Sequence, residues 1–235
     1  MEDMKRTTLS FAKDDQPLPH GVDLAADLKR QFPDLRLDLI FDVGANVGQT
    51  AREFGIQFRQ AKILSFEPDP DSFSILQASA NGNANLSIYN LGFSVRPGRV
   101  RFDNTSPESV LHAIAKNQGD DRLPFVNITT IDLFCAEHCI ERISLLKIDT
   151  EGHDLDVIRG ASDMLRRGNV DVVFAECSLT QVSERLVSFS EMRADMRERG
   201  YVCFGIYQQA FGSDTHDPQI NWANCAYVSK TRSRK

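Results

Sequence analysis

The chain has 235 residues, of which 41% are hydrophobic and 26% charged, with a formal net charge of −6. That length suits one domain with a substantial core, and the balance is that of a soluble globular protein. The negative charge argues against a nucleic-acid partner, whose binding depends on neutralising phosphates. No apolar run approaches the roughly 20 residues that span a bilayer, and Met1 to Arg6 lacks the apolar core of a secretion signal. The five scattered cysteines read as reduced thiols of a cytoplasmic protein.

Residues 1–20 carry charges and two prolines without a clear period, which predicts a loose arm. A single domain follows over 21–229, then a basic tail over 230–235. Val22 to Phe32 reads as a short amphipathic helix ended by Pro33. Leu37 to Phe41 is an apolar run that feeds the glycine-bearing turn Asp42 to Gly48, the signal of a buried parallel strand entering a helix. That helix runs from about Gly48 to Phe58, with Val47, Ala51, Phe54 and Phe58 on one face. Ala61 to Glu67 is the second strand, stopped by Pro68. Asp71 to Ala80 is helical, and Leu86 to Asn90 alternates as a strand. A turn over Arg96 to Arg99 leads to a short strand, Val100 to Phe102. The polar stretch Thr105 to Asp121 reads either as a substrate lid on the cofactor side or as a solvated surface loop.

Phe125 to Thr130 is a strand, and Ile131 to His138 a helix with Thr130 as N-cap. Ile143 to Asp149 is a buried strand. Asp154 to Arg167 is one helix closed by Gly168. Val170 to Glu176 is the next buried strand, and Glu184 to Arg199 a helix closed by Gly200. Tyr201 to Tyr207 and Trp222 to Val228 form a final pair. Their connection is too short for a crossover helix, so the pair is antiparallel. The alternation of strands and helices gives a doubly wound, mainly parallel α/β sheet.

The chemistry starts at the first turn. Gly44 permits a φ that a side chain resists, and Asn46 tolerates a left-handed conformation. Gly48 allows close packing of the new helix, whose free N–H groups favour an anionic group. Glu67 lies 19 residues beyond Gly48, at the carboxyl end of the neighbouring strand. An acidic side chain there accepts both hydroxyl hydrogens of a ribose. The turn lacks the middle glycine of G-x-G-x-x-G, so a pyrophosphate is disfavoured and a smaller amino-acid tail suits it better.

Asp42, Glu67, Asp149 and Glu176 all fall at carboxyl ends of strands, where ligands bind in open α/β sheets. Several carboxylates converging on one crevice raise at least one pKa, as a general base requires. Asp149, His153 and Glu176 are the candidate bases. Glu151 is either a substrate ligand or a residue that complements the helix dipole. Carboxylate oxygens could also hold a divalent metal, although the spacing matches no metal motif.

Together these residues resemble the FkbM family of S-adenosylmethionine-dependent methyltransferases. The resemblance runs through Phe41-Asp-Val-Gly-Ala-Asn-Val-Gly-Gln49, Phe66-Glu-Pro-Asp69, Thr130-Ile-Asp-Leu133, Leu146-Lys-Ile-Asp-Thr-Glu-Gly152 and Val157-Ile-Arg-Gly-Ala161. It implies a seven-stranded Rossmann-like class I methyltransferase fold with an antiparallel last strand. It also implies O-methylation of a sugar, glycan or polyketide-type hydroxyl. Asp42, Gly44, Ala45, Asn46 and Gly48 would then hold the methionine end of the cofactor, with Glu67 and Pro68 at its ribose. Asn90 and Ser94 would flank its adenine. Asp149, Glu151 and His153 would face the acceptor. The rival readings are an NAD-dependent oxidoreductase, against which the missing glycine argues, and a non-catalytic nucleotide-binding protein.

Overall fold

A computed structural model of the chain describes residues 18–80, 82–105, 113–115, 117–180, 186–211 and 219–231. Most of the expected N-terminal arm and of the basic tail lies outside these residues. So do most of the first half of the 105–121 loop and the first two residues of the helix expected from Glu184.

The central sheet is built from β1 (Leu39–Val43), β2 (Lys62–Phe66), β3 (Leu86–Tyr89), β8 (Ile143–Ile148), β9 (Val170–Ser178), β10 (Tyr201–Phe211) and β11 (Ile220–Ser229). These seven strands lie in the order β10-β11-β9-β8-β1-β2-β3. β3, β2, β1, β8 and β9 are parallel, and β11 runs antiparallel to both β9 and β10. This is the sheet that the alternation and the family resemblance imply. β8 is buried at every position because helices cover both faces, which is why it reads as a continuous apolar run.

β4 (Gly92–Phe93), β5 (Gly98–Asp103), β6 (Ala113–Ile114) and β7 (Phe125–Thr129) form a second sheet in the order β4-β7-β5-β6. Phe102, Val126 and Ile128 are the core of this small sheet.

The helices are α1 (Leu24–Gln31), α2 (Gln49–Gln57), α3 (Pro70–Ala80), α4 (Ile131–Glu137), α5 (Asp154–Gly160), α6 (Ser162–Arg166) and α7 (Phe189–Glu198). Thr130 caps α4 as expected, its hydroxyl accepting from the Leu133 N–H at 3.1 Å. The single helix expected over 154–167 is broken into α5 and α6 at Ala161. Two contacts account for the break. A side chain at Gly160 would place its Cβ 2.2 Å from the Ser94 carbonyl, so the two backbones meet directly. The Asp132 carboxylate then accepts from the Asp163 and Met164 N–H groups and starts a new helix. The last helix begins at Phe189 rather than Glu184, because Ser188 caps it by accepting from the Glu191 N–H.

Candidate active site

β9, β8, β1 and β2 are consecutive neighbours, so the residues at their carboxyl ends are gathered along one edge. Above that edge lies a cleft of ≈ 710 Å³, including its open mouth. Its floor is the central sheet: Val43 and Gly44 at the end of β1, Phe66, Glu67 and Pro68 at the end of β2, and Asp149 to Glu151 after β8. Its apolar wall is the small sheet, through Phe93, Phe102, Ile114 and Ile128.

The turn after β1 is held by the next strand. Gly44 and Ala45 both donate to the Phe66 carbonyl at 3.0 Å. Gly44 has φ +79°, and an added Cβ would lie 1.8 Å from the Asp149 carbonyl oxygen. Glycine is therefore required twice, for its φ and for the approach of β8. Asn46 has φ 48°, the left-handed conformation expected of it. Gly48, with φ +90°, is the N-cap of α2, but its close neighbour is Leu76 of α3 rather than the strand.

Glu67 is fixed at both oxygens. One accepts from the Asn46 N–H and the other from the Asp69 N–H, each at 2.8 Å. Burial pushes its pKa up to about 7 despite those two donors. Asn90, expected near a ligand, instead donates to the Glu67 and Pro68 carbonyls at 2.9 and 3.0 Å and ties down the loop. Ser94 is buried, donating its N–H to Thr129 O and abutting Gly160. Neither side chain lines the cleft; nor do Asp42, Ala45 and Gly48.

A buried lysine organises the other end. Lys147 Nζ lies 3.0 Å from Asp149 and 3.9 Å from Asp42. Burial alone would lower its pKa, but Asp149 and Asp42 hold it above the usual lysine value. Asp42 is completely buried, accepts from Ser65 Oγ, and is itself pushed up by burial. Asp149 projects from this pair into the cleft beside Thr150, Glu151 and His153. Glu151 adopts φ 51°, an uncommon backbone conformation for a side chain of this size. His153 Nε2 is 3.3 Å from the Ile114 carbonyl, and Nδ1 is 3.4 Å from Asp156. Glu176 does not line the cleft, but burial, then Asp149 and Glu151, push its pKa up to about 8. Asp154, buried beneath the turn, is pushed up to about 6 for the same first reason. Among the described residues no group of three His, Cys, Asp or Glu side chains is arranged to hold a metal ion.

The FkbM methyltransferase domain matches residues 42–203. The chain belongs to the FkbM methyltransferase family. It is 29% identical over 142 residues to the hexuronic acid methyltransferase AglP of Haloferax volcanii, covering 58% of this chain and 55% of that protein. It is 26% identical over 145 residues to the 2-O-methyltransferase NoeI of Sinorhizobium fredii, covering 55% and 59%. The chain thus spans a little over half the length of these relatives. Among solved structures, the precorrin-6y C5,15-methyltransferase of Geobacter metallireducens superposes with a TM-score of 0.45 at 10% identity, covering 85% of this chain and 87% of that one.

Within this FkbM domain, the cleft gathers Gly44, Asn46, Glu67 and Pro68 from the expected cofactor set with Asp149, Glu151 and His153 from the expected acceptor set. The apolar wall lies outside the expected site; its sequence signal is the alternation of Val126 and Ile128 in β7, which pack with Phe102 of β5. Thr150, not among the expected site residues, also lines the cleft; its Oγ1 is buried and, like Asn46 Oδ1, has no hydrogen-bond partner among the described residues.

Proposed function

We propose that this protein is an S-adenosylmethionine-dependent O-methyltransferase that acts on a hydroxyl of a sugar, a glycan or a related small molecule. The observation that carries the reading is the doubly held Glu67 carboxylate facing the Gly44–Gly48 turn. Backbone donors fix its two oxygens, and its remaining lone pairs are aimed for a vicinal diol. The cleft residues fit such a cofactor. The apolar wall suits a purine face. Asn46 Oδ1 and Thr150 Oγ1, which have no partner among the described residues, would gain one from a polar ligand.

The cofactor supplies a methyl carbon activated by a sulfonium, and the protein supplies alignment and proton removal. Asp149 is the base in this reading. It lines the cleft, and Lys147 orients its carboxylate at 3.0 Å. Asp149 would take the proton of the acceptor hydroxyl. Glu176 does not line the cleft, so it is not placed to take that proton. His153 has its two ring nitrogens occupied by the Asp156 carboxylate and the Ile114 carbonyl, so neither is left facing an acceptor hydroxyl. Names of the relatives AglP and NoeI support a sugar acceptor. A cytoplasmic setting is part of the reading, supported by five unpaired cysteines. Among the described residues no helix is long and apolar enough to cross a membrane.

Calorimetric titration with S-adenosylhomocysteine and, separately, with NAD tests the proposal. Micromolar binding of the first and none of the second is expected. Binding of NAD alone would overturn the reading in favour of an oxidoreductase.

A further inference from the structure

Three polar side chains stand in a row across the middle of the central sheet. Asp42 of β1 is in register with Ser65 of β2 on one side and with Lys147 of β8 on the other. Beyond Lys147 the register partner is Phe174 of β9, which joins Ile40, Ile63 and Leu145 in one apolar cluster. Two carboxylates lie within ion-pair reach of the ammonium: Asp149 Oδ2 at 3.0 Å and Asp42 Oδ1 at 3.9 Å. The first is a hydrogen bond, and the second is too long to be one. Asp42 Oδ2 accepts from Ser65 Oγ at 3.1 Å, but Oδ1 is buried without a hydrogen-bond partner among the described residues. A buried carboxylate oxygen left without a donor is costly, and here a donor stands one short step away.

Resting on the reading of Asp149 as the base, we propose that Asp42 is a positioning residue that receives Lys147 when Asp149 takes the proton of the acceptor hydroxyl. In that step the acceptor O–H bond breaks, the proton bonds to an Asp149 oxygen, and the electron pair stays on the acceptor oxygen. Lys147 keeps its three protons and changes partner. Once Asp149 is neutral, the ammonium has lost its charged partner, and with a side chain only 7% exposed it cannot turn to water instead. A shift of roughly 1 Å at the end of its flexible stem brings Nζ within hydrogen-bond distance of Asp42 Oδ1. Without Asp42 the same lysine would hold Asp149 in its ionised form and make it a poor base. The electrostatics run the same way. Burial pushes the Asp42 carboxyl up, Lys147 and Ser65 pull it down, and the charge on Asp149 pushes it up again. A proton on Asp149 removes that last push, so Asp42 holds its charge best when Asp149 has lost its own. The Asp42 side chain never meets the ligand in this arrangement; it acts through Lys147.

The test is a crystal structure of the full-chain Asp149→Asn variant beside the wild type in the same crystal form. The neutral amide has the shape of the protonated base. Lys147 Nζ should lie within about 3.2 Å of Asp42 Oδ1 in the variant. An Nζ that stays nearer to residue 149 than to Asp42 overturns the proposal. Asp42→Asn gives a second readout. It should lower kcat at least about tenfold, with the acceptor KM and the affinity for S-adenosylhomocysteine within about twofold of wild type. A kcat within tenfold of wild type overturns the proposal, and so does a loss of S-adenosylhomocysteine affinity, which would make Asp42 a cofactor ligand. Should Asp42→Asn not fold, the position of Nζ in Asp149→Asn decides alone. Failure of the underlying readings would show separately, as full activity of Asp149→Asn or as no binding of S-adenosylhomocysteine by the wild type.

Discussion

Glu67→Gln changes one oxygen to an amide nitrogen and nothing in size. In the wild type both carboxylate oxygens accept from backbone N–H groups at 2.8 Å. The amide must therefore turn a donor toward either Asn46 N or Asp69 N and leave one of them unpaired. On the proposed reading it also replaces charge-assisted acceptance of two ribose hydroxyls by a single neutral acceptor. Each charge-assisted bond is worth roughly 1.5–3 kcal/mol. Relief of the buried charge returns part of that, leaving a loss of about 3 kcal/mol, on the order of a hundredfold in affinity for S-adenosylhomocysteine. The pKa adds a second signature. Ribose hydroxyls donate to the ionised form, and the free protein's Glu67 has a pKa near 7. A proton must leave for binding at acidic pH, so wild-type affinity should fall about tenfold from pH 8 to pH 6. The Gln variant should bind weakly at both. Calorimetry across that range reads both effects. A variant that binds within threefold of wild type, or a wild type indifferent to pH, refutes the assignment of Glu67.

Three further outcomes follow from the same geometry. Asp149→Asn should lower kcat by roughly 10²–10⁴ while S-adenosylhomocysteine affinity stays within a few-fold, and a kcat within tenfold of wild type would remove Asp149 as the base. Gly44→Ala should cost at least about 3 kcal/mol in denaturant unfolding, because its Cβ would sit 1.8 Å from Asp149 O at φ +79°. Glu67, Asp154 and Glu176 have folded pKa values of about 7, 6 and 8, all above their ordinary values of 4.5, 3.8 and 4.5. Their contribution to stability is complete below the ordinary values and is lost as pH rises through the raised ones. The melting temperature of the ligand-free protein should therefore fall from pH 5 to pH 9, and Glu176→Gln should flatten the upper part of that fall. A melting curve that rises over the range contradicts these assignments.

The parallel part of the fold was legible because its strands are buried on both faces. Ile143 to Ile148 can be nothing but a central strand, and Asp42 to Gly48 can only turn into a helix. The placement of Glu67 followed from the same logic, since it sits where β2 must end. What escaped depends on contacts distant in sequence. Gly160 meets Ser94 only after folding, and Asp132 caps a helix 31 residues away, so the break at Ala161 has no local signal. Asn90 looks like a ligand-facing polar residue until its amide is seen to tie the loop after β2. The start of α7 was readable and was missed. Ser188 and Glu191 have the spacing of a capping box, and the Ser188 hydroxyl does accept from the Glu191 N–H.

The most direct test of the account is methyl transfer itself. The protein is incubated with S-adenosylmethionine carrying an isotopically labelled methyl group and a panel of sugars and glycosides, and the products are read by mass spectrometry. The account predicts label on a sugar oxygen, with stoichiometric S-adenosylhomocysteine, and loss of both in Asp149→Asn. Tight binding of S-adenosylhomocysteine with no label on any hydroxyl would contradict it and leave a nucleotide-binding protein without turnover.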